Sequence, residues 1–362
     1  MKKITVGILF GGDSAEYKVS LKSAYSIITN LDTTKYELIL IGITQNGTWK
    51  RYDGPLEAIP QDTWSEQGGV PAAILPYPSL HGFLEQRNGK FFRTHLDVVF
   101  PVLHGKNGED GSIQSLLQLA GIPYVGCGVL SSAICMDKDI SHHIVKIAGI
   151  RVPDTVSLTG VVSLEQIDEI IAAFTFPIFV KPANGGSSFG VTKVMDPANL
   201  LEAINKAQKY DCKVCIEEAI DGCEVGCAIL GNDTQLTVGE VDQIELSHGF
   251  FHIHQEVHPE KGSENSVVNV PAHLPPETQA LIKRMAKQVY RVLGCTGLAR
   301  VDMFLTSKNE VVFNEVNTIP GFTSYSRYPR MMEAAGISIS HFTDSAIQLA
   351  LQKNREIAGK SE

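Results

Sequence analysis

Apolar runs separated by a helical pattern constrain this chain more than any other feature. ITVGILF (4–10) is rich in β-branched residues and runs into the turn GGDS. VSLKSAYSIITNL (19–31) then carries apolar residues at helical spacing, and YELILIGI (36–43) reads as a second strand. LDVVFPVLHG (96–105) is a third strand ending at glycine, and SIQSLLQLAGI (112–122) is a helix closed by Gly121. Strand, helix and strand in this order need a crossover, so the first third of the chain predicts a parallel sheet. Residues 50–95, rich in Pro and Gly, read as irregular.

At 362 residues the chain exceeds one ordinary core, and two or three compact units are expected. The 43% hydrophobic and 20% charged residues are globular values. A formal charge of −9 argues against nucleic acid or an acidic membrane as partner, since phosphate surfaces need excess Lys and Arg. The start, MKKITVGILFGG, superficially looks like a signal peptide, but its short apolar run reaches a Gly-Gly turn with no small-residue cleavage site. No window approaches the roughly 20 apolar residues of a membrane span. Seven scattered cysteines form no disulfide framework, so a cytoplasmic protein is expected. Cys212, Cys215, Cys223 and Cys227 have a spacing that zinc accepts, but their flanks are strand-like and core packing is the favoured reading.

The remainder divides into two further segments, giving 1–126, 127–215 and 216–362. SSAICMDKDISHHIVKIAG (131–149) reads as one helix, TFPIFVKPANGGSSFGVTKV (175–194) as two strands around a glycine-rich turn, and NLLEAINKAQKY (199–210) as a helix. The third segment carries the strands EVGCAILG, LTVGEVDQIEL, GLARVDMFL and EVVFNEVNT and a long helix over 277–293. The expected fold class is mixed α/β with an N-terminal Rossmann-like sheet.

RVDMFL and VVFNEVN place Arg300 with Asp302, and Glu315 with Asn317, on one face of each strand, because residues two apart share a face. Two carboxylates and an amide are hard oxygen donors suited to Mg²⁺ that also holds phosphate oxygens. The bland reading is a solvated edge with one salt bridge, which the interleaved apolar residues disfavour. ANGGSSFG (183–190), with Gly186 and Ser188, lets backbone N–H groups approach an anion. It joins strand to strand, so it is neither a P-loop nor a dinucleotide fingerprint. Lys181 precedes it, and Lys138 in CMDKD is a second cation; together these features point to a nucleoside triphosphate. Glu217 and Glu224 in IEEAIDGCEV suit an adenine amino group or ribose hydroxyls. Ser326 and Arg327 in TIPGFTSYSRYP suit a substrate carboxylate, though Arg327 and Arg330 also read as surface charge. Glu16, His104 and Glu109 follow strand ends, where ligands bind in open α/β sheets.

FGGDSAEYKVS, VLHGKNGEDGSIQ, GIPYVGC, MDK, FVKPANGGSSFGV, LARVDMF and FNEVNTIPGFTSYSRYP together resemble the D-alanine–D-alanine ligase family, of ATP-grasp fold. The resemblance covers essentially the whole chain and is weakest at 50–95 and 155–175. It implies a cytoplasmic, homodimeric three-domain enzyme in which ATP phosphorylates one D-alanine and a second substrate attacks the acylphosphate. Lys138 and Lys181 would hold phosphates, and Glu217 and Glu224 the adenine and ribose. Asp302, Glu315 and Asn317 would bind two Mg²⁺, with Mn²⁺ as a substitute. Arg300 would stabilise charge on the transferring phosphoryl and the tetrahedral oxyanion. Glu16, supported by Ser187, would meet the ammonium of the first D-alanine beside His104, and Ser326 with Arg327 would take the second substrate's carboxylate.

FHIHQEVHPEKGSENS (251–266) falls in a loop, about 246–268, that the resemblance places over the acceptor. It lacks the Lys-Tyr pair of ordinary D-alanine–D-alanine ligases and is similar to the loop of the vancomycin-resistance D-alanine–D-lactate ligases, which puts His254 at the acceptor. A partly protonated His, with an ordinary pKa near 6.5, repels an ammonium and tolerates a lactate hydroxyl. D-lactate is therefore the expected acceptor, with D-alanine or D-serine as alternatives. Tyr17-Lys18 after Glu16, and His258 in the loop, depart from the family pattern. His252, His254 and His258 also have a metal-like spacing, which Pro259 interrupts. A nonenzymatic nucleotide-binding regulator would have lost the metal carboxylates or Arg300, and a dehydrogenase would need G-x-G-x-x-G after the first strand.

Overall fold

The computed structural model describes residues 2–232, 235–246 and 266–358. Its first sheet has seven strands. β1 (Ile4–Gly11), α1 (Tyr17–Asn30) and β2 (Tyr36–Ile43) form the crossover expected from the pattern, with β1 and β2 parallel. β3 (Trp49–Tyr52), β4 (Val70–Ile74), β5 (Gly82–Arg87) and β6 (Lys90–His95) extend the sheet as an antiparallel meander. β7 (Val98–Val102) returns parallel to β1 on its other side, giving the order β6-β5-β4-β3-β2-β1-β7, and α2 (Ser112–Leu119) follows.

The meander corrects the expectation that 50–95 is irregular. Its strands are short and β6 is almost wholly exposed, so no apolar periodicity marks them. The usable signal was Asn88-Gly89: φ is 48° at Asn88 and 72° at Gly89, as a two-residue hairpin needs when strands twist right-handed.

α3 (Val129–Met136) and α4 (Lys138–Ile147) correct a second expectation, that 131–149 is a single helix. Asp137 between them is extended (φ −87°, ψ 103°), and its side chain accepts from the Ile140 N–H, capping α4. Asp137 and Asp139 both pair with Lys213, which fixes the break.

β8 (Thr155–Thr159), α5 (Leu164–Ala173), β9 (Ile178–Pro182), β10 (Thr192–Val194), α6 (Leu200–Ala207) and β11 (Lys213–Glu218) build a four-stranded sheet of order β10-β9-β11-β8. β12 (Gly222–Asn232), β13 (Gln235–Val238), β14 (Asp242–Leu246), β15 (Ser266–Asn269), α7 (Pro276–Val292), β16 (Leu298–Thr306), β17 (Val311–Asn317), α8 (Arg327–Ala334) and α9 (Ile339–Ala358) form the rest. Their antiparallel sheet runs β15-β14-β12-β16-β17, with β13 paired to β12.

The cores do not follow the three sheets one to one. Cys127, Cys135, Val145, Ile150 and Val152 pack with Val301, Phe313 and α7 in the core of the third sheet. The first sheet shares its core with α8 and α9. Phe322 is the joint: its ring meets Phe100 at 5.9 Å and both Tyr328 and Phe342 at 6.0 Å. Of the four cysteines with zinc-like spacing, Cys215 and Cys227 are buried in different sheets, while Cys212 is exposed. No helix among the described residues is long and apolar enough to cross a membrane. Phe322→Ala should cost about 3–5 kcal/mol, the usual range for emptying a buried aromatic site, in urea unfolding at constant m.

Candidate active site

One rung of the third sheet organises the site. Asp242 on β14, Gly226 on β12, Asp302 on β16 and Glu315 on β17 are successive register partners. The Arg327 guanidinium lies over Gly226, its Nε and Nη2 donating to Asp242 at 2.6 and 2.8 Å and its Nη1 3.2 Å from Asp302. A Cβ on residue 226 would fall 2.3 Å from Arg327 Nη2, so only glycine leaves room. Arg300 donates to the same Asp302 through Nε at 2.9 Å and Nη2 at 2.7 Å, and Asn317 Nδ2 donates at 2.9 Å. Arg327, expected to hold a substrate carboxylate, lines the smaller cavity while pairing with two aspartates. Burial alone would oppose its charge; Asp242 and Asp302 more than offset that and raise its pKa.

Glu315 projects from the same face toward Lys138, whose Nζ is 3.2 Å away and also donates to the Gly185 carbonyl at 2.6 Å. Burial would raise the Glu315 pKa, but Lys138, Lys181 and Arg300 together bring it down to about 2. Lys181 Nζ sits 2.7 Å from Glu217 Oε2 and 3.4 Å from Asn314 Oδ1. These side chains line a cavity of about 650 Å³ between the four-stranded sheet and β12, β14 and β16, with Phe179 and Phe304 on its apolar walls. Glu224 stands on its rim, its pKa pushed up to about 8 by burial despite Arg327 nearby.

A second cavity, of about 270 Å³, adjoins the first across Ser188, Glu224, Asn314 and Glu315. It is lined by Glu16, His104, Ser187, Arg300, Asn317 and Ser326. Ser187, with φ of 48°, donates to Glu16 Oε1, so the glycine-rich loop touches the first sheet's own carboxylate. Cβ atoms on Gly105 and Gly186 would approach Glu16 Oε2 to 2.6 and 2.7 Å, so a side chain at either would push the carboxylate aside, and Gly105 also has φ of 70°. Gly186 thus makes room for Glu16, a reason the sequence reading did not supply. Burial raises the Glu16 pKa, and the Ser187 bond only partly opposes it.

His104 is held at both nitrogens. Nδ1 lies 2.9 Å from the Ile319 carbonyl, which can only accept, so Nδ1 carries the proton. Ser23 Oγ accepts from the Phe322 N–H at 3.1 Å and donates to His104 Nε2 at 3.1 Å. Burial pushes the His104 pKa down to about 4, leaving it a neutral wall. Glu109 accepts from the Gly105 and Ile319 N–H groups, both at 2.9 Å, and so ties the first sheet's loop to the segment after β17. Burial, then Glu16, push its pKa up to about 8. Glu109, expected near substrate, lines the smaller cavity, with both its oxygens accepting from backbone. Tyr17 turns away from the cavity: its hydroxyl donates to Asp62 at 2.8 Å and accepts from Trp64 Nε1 at 3.0 Å.

Ser326 accepts from the Thr323 N–H at 3.1 Å, and Gly321 leaves it room. Arg330, on the same wall, donates to the Val268 carbonyl at 2.7 Å. His254, His252 and His258 lie outside the described residues. Asp242 and Asn314 were missed, and Arg330 was read as surface charge; a charged residue opening the apolar-flanked strand DQIEL was the only hint of the first.

Glu315 lines both cavities, and Asp302 and Asn317 line the smaller one; carboxylate and amide oxygens are donors of the kind a hard divalent cation takes. Among the described residues no group of three His, Cys, Asp or Glu side chains is placed to hold a metal ion by itself.

The fold, with two sheets closing on a cavity that two lysines and an oxygen-donor face supply, is that of an ATP-grasp enzyme; solved structures of the same shape support this. Profiles described as D-ala D-ala ligase N-terminus and C-terminus match residues 5–127 and 144–348. The chain therefore belongs to the D-alanine–D-alanine ligase family, whose members are ATP-dependent ligases that use a divalent metal. It is 54% identical, over 97% of its length and 99% of the relative's, to a putative D-alanine–D-lactate ligase of Streptomyces coelicolor. It is 52% identical to the vancomycin/teicoplanin A-type resistance protein VanA of Enterococcus faecium, over 97% of this chain and all of that one. The crystal structure of VanG D-Ala:D-Ser ligase from Enterococcus faecalis superposes with a TM-score of 0.88 at 47% identity, covering 96% and 100% of the two chains.

Gly226→Ala should displace Arg327 and break a buried ion pair, costing roughly 3–5 kcal/mol and raising the Mg²⁺ concentration needed for turnover. Denaturation and metal titration of the variant measure the two effects. Because Glu109 holds its proton to about 8 when folded against about 4.5 when unfolded, the folded state binds the extra proton between those values. Its contribution to stability is present below that window and is lost as pH rises through it. Chemical denaturation at pH 5 and 8 should show a smaller loss for Glu109→Gln than for the native chain.

Proposed function

We propose that the chain ligates D-alanine to D-lactate at the expense of ATP, making a depsipeptide for peptidoglycan precursors of the vancomycin-resistant kind. The observation that carries this reading is the pairing of a ligase site with a full-length likeness to a relative named for D-lactate. The chain works in the cytoplasm, where ATP is supplied, as a homodimer.

ATP occupies the larger cavity, with its phosphates toward Lys138 and Lys181, its base against the apolar walls, and Glu217 and Glu224 on adenine and ribose. Glu16 and Ser187 fix the ammonium of D-alanine in the smaller cavity, so its carboxylate points at the junction. Asp302, Glu315 and Asn317 would hold two Mg²⁺ there, which supply positive charge to the phosphate oxygens during transfer. Arg300, buried and anchored on Asp302, presents a fixed guanidinium where negative charge develops, a donor that needs no reorganisation. D-alanine's carboxylate takes the terminal phosphoryl group and ADP leaves. The D-lactate hydroxyl then attacks the acylphosphate carbonyl and gives up its proton, which leaves with the phosphate as the tetrahedral intermediate collapses to the ester. Ser326 orients the lactate carboxylate, and His254 selects a neutral hydroxyl over an ammonium.

A second reading, D-serine as acceptor, is favoured by the likeness to the VanG D-Ala:D-Ser ligase. Product analysis with ATP, Mg²⁺ and D-alanine, adding D-lactate or D-serine across pH 6–9, separates the readings. The expected result is ester dominating at low pH, with dipeptide rising as the histidine loses its proton. His254→Ala should lower ester formation while sparing ATP-dependent use of D-alanine. Dipeptide alone at every pH would remove D-lactate as acceptor.

A further inference from the structure

His142 on α4 has no part in the reaction outlined above, yet it lies under the larger cavity. Its Nε2 is 2.7 Å from the Asn314 carbonyl on β17, which can only accept, so Nε2 carries a proton. In the neutral ring Nδ1 is then a bare lone pair. That atom faces Glu217 Oε1 at 3.9 Å, and among the described residues both are buried without a hydrogen-bond partner. Two acceptors turned toward each other in a buried site are costly, and a proton on Nδ1 would satisfy both.

The charges that face the ring explain why the proton is absent. Burial opposes it first; Glu217 on β11 favours it, while Lys181 on β9 and Lys138 on α4 itself oppose it. The Cys215 thiol, also on β11, is held protonated by burial and adds no charge, and Phe313 on β17 meets the ring edge-on at 5.6 Å. Glu315 lies beyond the lysines and pairs with Lys138. A polyphosphate between Lys138 and Lys181 brings several negative charges and cancels the two lysine charges that oppose protonation, so that Glu217 and the phosphates together stand against burial.

We infer that His142 is a positioning residue of the nucleotide cavity: on polyphosphate binding it takes one proton from solvent onto Nδ1 and donates it to Glu217 Oε1. The bond holds Glu217 in place while Lys181 turns its charge to the phosphates. This rests on the larger cavity being the ATP site. By linkage, nucleotide affinity then falls as pH rises, by at most about tenfold per unit for one proton.

Calorimetry of MgADP binding at pH 7, in two buffers of different ionisation enthalpy, counts the protons. The native chain should take up protons on binding, and His142→Gln, which keeps a donor for Asn314 but cannot titrate, should take up none and show a flat affinity between pH 6 and 8. Equal proton counts in both would overturn the inference. Should the variant fail to fold, ¹⁵N shifts of His142 in the native chain decide: the ring must pass from neutral to doubly protonated on adding MgADP, and an unchanged ring overturns it. No MgADP binding by the native chain would instead remove the nucleotide reading of the cavity, and this inference with it.

Discussion

The Asp302 carboxylate is the point on which the site turns. It receives Arg300, Asn317 and Arg327 within one rung of antiparallel sheet, and Asp242 takes the remaining charge of Arg327 across Gly226. Two guanidinium groups and two carboxylates buried together are tolerable only when their charges cancel and their donors are used. The consequence is a rigid platform. Asp302 and Arg300 cannot swing, so what they present to a ligand is fixed before the ligand arrives, the condition under which electrostatic stabilisation of a transition state is effective.

The larger cavity follows a different rule. Its lysines are neutralised by protein carboxylates, Lys138 by Glu315 and Lys181 by Glu217, rather than by the platform. Lysine is a point charge on a flexible stem and can exchange one anion for another, whereas a bidentate arginine cannot do so cheaply. The arginines thus define geometry, and the lysines answer to occupancy. That division puts adaptable charge along the larger cavity and fixed charge on the wall of the smaller one.

Much of this was legible in sequence because strand periodicity is strict. Residues 300 and 302, and 315 and 317, had to share faces, and the crossover in 4–43 had to be parallel. What escaped was whatever depends on partners distant along the chain. Arg327 and Asp242 are 85 residues apart, and nothing near Arg327 in sequence shows that two aspartates will take its guanidinium. Nor does anything local to Glu109 show that Ile319 N–H, 210 residues on, will reach it. The meander over 49–95 was lost because its strands are short and exposed, so burial never wrote a pattern into them. The break at Asp137 was hidden because apolar spacing continues through it, and only the cap and Lys213 favour two helices.

Glu16 is gripped from two sides, by Gly105 of the first sheet's loop and by Gly186 and Ser187 of the four-stranded sheet's loop. Its raised pKa comes from that enclosure. Without Ser187 and Gly186 against it the carboxylate would meet water, and its pKa would fall back toward the ordinary carboxylate range. Glu16 is thus shielded by a residue 171 positions further along the chain, so its chemistry depends on how the glycine-rich loop is seated against the first sheet.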